Sequence, residues 1–153
     1  MGNINWKAYG HRLQPFDGHL IPVFENGKRI FGAVKDHNFT VKDILAFNNV
    51  RAIELRTSKE LMCIDFDSLE AIRFAETEGE FILEDLQTWL VQRDNQHFRC
   101  KFFLYRTKPQ QEELGEFSLD LEDHDLEVFS KSTKPVTVCL LYTSDAADDS
   151  GCV

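Results

Sequence analysis

Leu61-Met62-Cys63-Ile64-Asp65-Phe66-Asp67-Ser68-Leu69-Glu70 carries an apolar run straight into two carboxylates and then into a helix start. The apolar part, residues 60–66, reads as a strand. Side chains alternate across a strand, so Asp65 and Asp67 share one face while Phe66 points into a core on the other. Asp67-Ser68-Leu69-Glu70 has the pattern of a capping box and predicts a helix through about Thr77, with Gly79 as its stop. A strand that hands over to a helix at a charged junction sets the class.

Working outward, residues 50–55 (VRAIEL) predict a second strand across the turn Arg56-Thr57-Ser58-Lys59. Residues 40–47 (TVKDILAF) pair a Thr N-cap with an acidic residue three positions on, which predicts a short helix. Residues 19–24 (HLIPVF) and 28–32 (KRIFG) flank Glu25-Asn26-Gly27, and Asn-Gly is a hairpin signal because it supplies positive φ. Downstream, residues 88–92 and 97–106 predict strands joined by Arg93-Asp94-Asn95-Gln96. Residues 109–114 form a helical turn with Pro109 in its first turn and Gly115 after it. Residues 126–129 and 135–138 are the last predicted strands. The expected fold is α+β, a mixed and largely antiparallel sheet with flanking helices.

The 153 residues suggest one domain, and 42% hydrophobic with 28% charged residues is the composition of a folded chain. Most of the 13 Phe should be core. There is no apolar run of about 18 residues, and MGNINWKAYGHRL lacks a signal-peptide core, so no membrane partner is expected. Seventeen basic against 26 acidic residues give −9, which argues against non-specific coating of nucleic acid but leaves room for a local cationic strip. Residues 139–149 (CLLYTSDAADD) resemble a translated transposase sequencing adapter. Residues 139–153 are therefore expected to be non-native read-through that forms no packed element, and residues 1–138 a partial domain truncated at its C-terminus. Removing Asp145, Asp148 and Asp149 with that tail leaves 17 basic against 23 acidic residues, a net −6. Cys63 and Cys100 remain, without the spacing of a zinc site or disulfide framework, as in a reducing compartment.

Three features can carry chemistry. In Asp65-Phe66-Asp67, like charges on one face repel unless a cation sits between them, and hard divalent cations with oxygen ligands suit such a pair. The bland reading is a solvated strand end followed by a helix cap. In His97-Phe98-Arg99-Cys100-Lys101-Phe102-Phe103, alternation puts His97, Arg99 and Lys101 on one face and apolar residues on the other, a layout suited to a triphosphate. It equally describes an ordinary amphipathic strand. Leu126-Glu127-Val128-Phe129 holds a lone carboxylate between apolar neighbours, which alone says little.

In this order the three features resemble the archaeo-eukaryotic primase superfamily, and more closely the N-terminal bifunctional primase-polymerase (Prim-Pol) domain of phage and plasmid replication proteins. The likeness runs over residues 15–138. Leu20-Ile21-Pro22-Val23 to Gly27-Lys28-Arg29 also resembles that family's opening, with Ile30 where Pro is common. The family's small-Gly-Gly turn before the histidine is replaced here by Arg93-Asp94-Asn95-Gln96, which leaves both His97 and Arg99 as candidates for the main phosphate ligand. The resemblance implies an RRM-like catalytic core and template-dependent nucleotidyl transfer. It implies that Asp65, Asp67 and Glu127 are the catalytic metal ligands for two Mg2+ or Mn2+ ions about 4 Å apart. It further implies that His97, Arg99 and Lys101 bind the nucleoside triphosphate, with Lys28, Arg29 and Lys35 toward the DNA template. A fused or separate replicative helicase and the cytoplasm of a bacterial host cell complete that expectation.

Two rivals use the same residues. One is a DxD phosphohydrolase of the haloacid dehalogenase type, although the Asp65 strand does not open the chain and runs directly into a helix. The other is a non-catalytic replication or DNA-binding module with Asp65 and Asp67 as surface charge. The cations at His97, Arg99 and Lys101 argue against a DNA mimic.

Overall fold

The computed structural model describes residues 6–24, 38–85, 89–93 and 96–140. Its elements are α1 (Trp6–Leu13), β1 (Leu20–Phe24), α2 (Val41–Ala46), β2 (Val50–Arg56), β3 (Leu61–Phe66) and α3 (Leu69–Gly79). There follow β4 (Trp89–Arg93), β5 (Gln96–Tyr105), α4 (Lys108–Glu113), β6 (Phe117–Leu121), β7 (Leu126–Ser130) and β8 (Pro135–Leu140). The strands form two sheets, in the orders β1-β2-β8 and β4-β5-β3-β7-β6, and every ladder is antiparallel. The fold is α+β. Where length suggested one domain, the chain divides into two compact units, Met1–Arg56 with Ser132–Val153, and Thr57–Lys131.

In the first unit β2 is the middle strand, and six of its seven residues are buried, Glu54 and Arg56 among them. The Arg56 guanidinium is satisfied inside the unit, donating through Nε to Asn38 Oδ1 (2.8 Å) and through Nη1 to the Ser132 carbonyl (2.8 Å). Pro22 lies on the edge strand β1, where a missing N–H costs no ladder bond. The predicted capping box of α2 is formed. Thr40 Oγ1 accepts from the Asp43 N–H (3.2 Å), and the Asp43 carboxylate accepts from the Thr40 N–H (2.9 Å). Asp17 takes the next orphan donor, the Val41 N–H, at 2.7 Å.

One pairing differs from expectation, and one expected pairing falls on residues outside those described. β1 pairs with β2, Leu20 opposite Leu55, and the predicted partner at residues 28–32 lies outside the described residues, as do Asn26-Gly27, Lys28, Arg29, Lys35, Asp94, Asn95 and residues 141–153. The strands either side of Arg56-Thr57-Ser58-Lys59 are both present but belong to different sheets. Each already has both edges occupied, β2 by β1 and β8, β3 by β5 and β7, so neither has a hydrogen-bonding edge left for the other. β8 also continues through Cys139 and Leu140, which pair with Ile53 and Ala52 on β2, two residues beyond the expected end of native sequence.

The second unit is a five-stranded sheet with α3 on one face. Phe66, Ala71, Cys100, Phe102 and Leu126 form its buried cluster, joined by Ile64, Ile72, Phe74, Ala75, Leu83, Leu121 and Val128. Phe66 and Phe102 meet edge to face, with ring centroids 6.0 Å apart. The α3 cap falls one residue later than the predicted Asp67–Glu70 box, on Ser68. Ser68 Oγ accepts from the Ala71 N–H (3.1 Å), and Ala71 has no side-chain acceptor to return the bond. Gly79 is the last helical residue rather than the left-handed stop, and Glu80 takes that conformation with φ 53°. Gly79 is needed for space, because a Cβ there would overlap the Phe81 ring.

Arg106 fastens the end of the sheet distal to the carboxylates. It is 9% exposed, and its Nη1 donates to the carbonyls of Lys59 (2.9 Å) and Gly115 (2.8 Å) and to Ser130 Oγ (3.0 Å). Nη2 donates to the carbonyls of Gln110 (2.9 Å) and Leu114, at the C-terminal end of α4, where the helix dipole favours a cation. The Phe117 ring lies 5.1 Å from its guanidinium carbon. Nearby, the Thr57 hydroxyl donates to the Lys131 carbonyl (2.7 Å) and accepts from the Lys131 N–H (3.1 Å), closing the unit where the chain enters and leaves it.

Arg106→Lys keeps the charge but cannot span these acceptors. It should lower unfolding free energy by about 2–3 kcal/mol, the range for charged hydrogen bonds lost in a buried setting. Urea unfolding followed by circular dichroism checks this, and a loss below about 0.5 kcal/mol would remove Arg106 from this role.

Candidate active site

The register of β3 assembles the site. Asp65 lies opposite Lys101 on β5 and opposite Glu127 on β7, and Glu127 lies opposite Asp120 on β6. Directly paired residues share a face, so Lys101, Asp65, Glu127 and Asp120 form one row across four adjacent strands about 4.8 Å apart. Phe66, the next residue, is fully buried in the α3-covered cluster on the opposite face, as alternation requires. Asp65 shares its face with Leu61 and Cys63, both fully buried, and with Phe103 and Phe129, which flank Cys63 in register. The face is therefore apolar along most of β3 and turns charged only in its last turn of alternation.

The carboxylate end is shaped by the turn between β6 and β7. Residues Glu122–His124 form a 3-10 turn, and Asp125 leaves it with φ 52°, a left-handed conformation that Asp tolerates. The Asp125 carbonyl accepts from the Asp67 N–H at 3.0 Å, tying the end of β3 to the start of β7. That bond aligns the β3 carboxylates with Glu127.

Lys101 Nζ donates to Asp65 Oδ1 at 3.2 Å, with side-chain exposures of 30% for Lys101 and 18% for Asp65. Burial pushes the Asp65 carboxyl above its ordinary value. The Lys101 charge and hydrogen bond oppose that rise, and the neighbouring negative charges of Asp67 and Glu127 add to it. Burial and then the Asp65 charge hold the Cys63 thiol well up, and burial raises Cys100 to about 11. Both cysteines are therefore neutral thiols near pH 7, unsuited to nucleophilic or soft-metal chemistry.

The residues expected to bind metal are thus distributed unevenly. Asp65 and Glu127 are cross-strand neighbours, while Asp67 is exposed just past the end of the ladder. Among the described residues no three His, Cys, Asp or Glu side chains are gathered closely enough to hold an ion. Asp65 and Glu127 carry the hard oxygen donors that Mg2+ and Mn2+ take. Mg2+ sites commonly use one or two carboxylates and complete their shell with water and substrate phosphates. The cation observed on Asp65 is the Lys101 ammonium.

His97 and Arg99 lie on β5, four and two residues before Lys101. The β3–β5 ladder ends at Phe66 opposite Cys100, and the β4–β5 ladder shifts register between Gln92 and Arg93. Residues 97–99 therefore lie on the stretch of β5 that runs past the end of β3. Sequence reading held Asp120 and Asp125 as substitutes for Glu127 but missed the strand that sets Asp120 opposite it. The signal was available, since Phe117-Ser118-Leu119-Asp120-Leu121 alternates as a strand does.

The chain matches no protein-family model, no curated protein and no solved structure. Among the described residues no helix is long and apolar enough to cross a membrane.

A raised carboxyl contributes stability that is fully present below the ordinary value near 3.9 and is lost as pH rises through the folded-state value. Asp65→Asn does not titrate there. Its unfolding free energy should therefore gain on that of the unsubstituted protein between about pH 4 and pH 8. Urea unfolding across that range is the check. A difference that stays flat or shrinks with pH contradicts the burial of an ionised Asp65.

Proposed function

We propose that this chain performs template-directed nucleotidyl transfer, as a primase-polymerase of the Prim-Pol type in phage or plasmid replication. One observation carries the reading: Asp65 stands in register between a carboxylate, Glu127, and a cation, Lys101, at the end of an otherwise apolar sheet face. Nucleotidyl transfer needs hard anionic oxygens for divalent ions beside cations for a triphosphate. Adjacent strands supply both.

Asp65 and Glu127 would hold Mg2+ or Mn2+, with Asp67 joining from the strand end. Bound there, such ions lower the pKa of an attacking 3′-hydroxyl and neutralise charge on the triphosphate and leaving pyrophosphate. The chain's own residues do the rest. Lys101 stands beside Asp65 for the phosphates, and His97 and Arg99 follow along β5 past the end of β3. Cys63, Phe103 and Phe129 form a dry floor next to the carboxylates, which strengthens every charge interaction above it. Lys28, Arg29 and Lys35 remain the proposed template contacts.

With Mn2+ or Mg2+, nucleoside triphosphates and a primed single-stranded template, product should lengthen with the template. Asp65→Ala should cost at least about a hundredfold in rate, since several kcal/mol of charge stabilisation are lost. His97→Ala should raise apparent KM more than it weakens template binding. Phosphate release from small phosphoesters without template, and no extension, would instead identify a phosphohydrolase. Template binding with neither activity would identify a non-catalytic module.

A further inference from the structure

β6 is the outermost described strand on its side of the five-stranded sheet, paired with β7 on one edge and with no described strand on the other. An antiparallel ladder uses the N–H and C=O of alternate residues, so the remaining groups of β6 point away from the sheet. Such an edge accepts a further strand unless a proline, a lysine, a bulge or a covering element blocks it. Phe117–Leu121 holds neither proline nor lysine, and its register with β7 is unbroken. Its middle residues Ser118, Leu119 and Asp120 are exposed, Leu119 at 49%. Alternation puts Leu119 on the α3 face with Leu121, and Ser118 and Asp120 on the other.

Charge decides what such an edge takes. From Glu112 to Asp125 the chain carries seven acidic residues, all exposed, and no Lys or Arg. A second copy is a poor occupant. Two-fold antiparallel registers centred on Ser118, Leu119 and Asp120 set Glu116 against Asp120, Glu116 against Glu122, and Asp120 against itself, and like charges directly opposite are destabilising. Nucleic acid is repelled by the same charge. We propose that the outer edge of β6 is a strand-addition site for an extended segment of another protein in which basic and apolar residues alternate. Main-chain hydrogen bonds to β6 hold the segment, and the alternate side chains give selectivity. Its apolar side chains lie beside Leu119, and its Lys or Arg side chains face Asp120 and the carboxylates at either end of the strand.

The probe is a short, end-capped, fluorescein-labelled peptide of alternating lysine and valine, titrated with the full chain at low salt and followed by anisotropy. Binding should slow hydrogen–deuterium exchange across β6. Replacing the peptide's lysines by glutamate, or methylating all its amide nitrogens, should each weaken binding at least about tenfold, since one removes the charge match and the other the main-chain donors. Leu119→Lys and Asp120→Lys, both at exposed positions, should each weaken it by about the same factor, with circular dichroism confirming that they fold. Equal binding of the lysine and glutamate peptides, or of the methylated one, overturns the proposal. So does undiminished binding by both folded variants, binding that leaves exchange across β6 unchanged, or no binding at millimolar peptide. A dimer of the full chain in sedimentation that Leu119→Lys dissolves would make a second copy the occupant, and overturns it too.

Discussion

The register of β3 is the constraint on which the second unit depends. All six of its residues pair with β5 and the last four, Cys63 to Phe66, pair with β7 as well, and a strand's faces alternate with period two. In the observed register Phe66 enters the cluster under α3 while Asp65 stands between Lys101 and Glu127. A slip of one residue would drive Asp65 into the phenylalanine cluster and expose Phe66 among charges. Burying an unpaired carboxylate costs several kcal/mol, and so does exposing a large apolar ring, which excludes the slipped pairing. The same rule that builds the core therefore places the charge.

The remainder of the unit holds that register from two ends. Near the carboxylates, the Asp67 N–H and Asp125 carbonyl join β3 to β7 through a residue in the left-handed conformation. At the other end Arg106 gathers main-chain carbonyls from residues 59, 110, 114 and 115. None of these acceptors is a carboxylate. The guanidinium is satisfied by peptide dipoles, so it orders loops rather than balancing a charge, and it supplies several hydrogen bonds from one rigid fork.

Electrostatically Asp65 is held where its charge is unfavourable. Asp65 is mostly buried, on a face shared with Leu61 and Cys63, and burial, then the charges of Asp67 and Glu127, make its own charge harder to carry. Lys101 opposes them. Asp65 is thus a carboxylate that is costly to ionise, with its cation on a flexible stem. Asp120 extends the acidic row outward to the sheet edge, where it is exposed to solvent.

By itself the sequence determined the local structure around the site. Alternation at Leu61 to Asp67 predicted the strand and the opposed faces of Asp65 and Phe66. Thr40 with Asp43, Asp67 with Glu70, and Pro109 with Gly115 marked helix boundaries to within a residue or two, because capping is a contest among neighbours in the chain. The α+β class followed from the same signals. What only the tertiary structure decided was pairing. Nothing local tells Val50–Arg56 to take β1 and β8 as partners rather than β3, or sets Lys101 and Glu127 on either side of Asp65. Those choices join residues 36 and 62 positions from Asp65 along the chain, and they are settled by which apolar faces must be buried together. Gly79 makes the same point on a smaller scale. The sequence offers a glycine near a helix end, but the ring of Phe81, folded back over it, is what requires the missing Cβ.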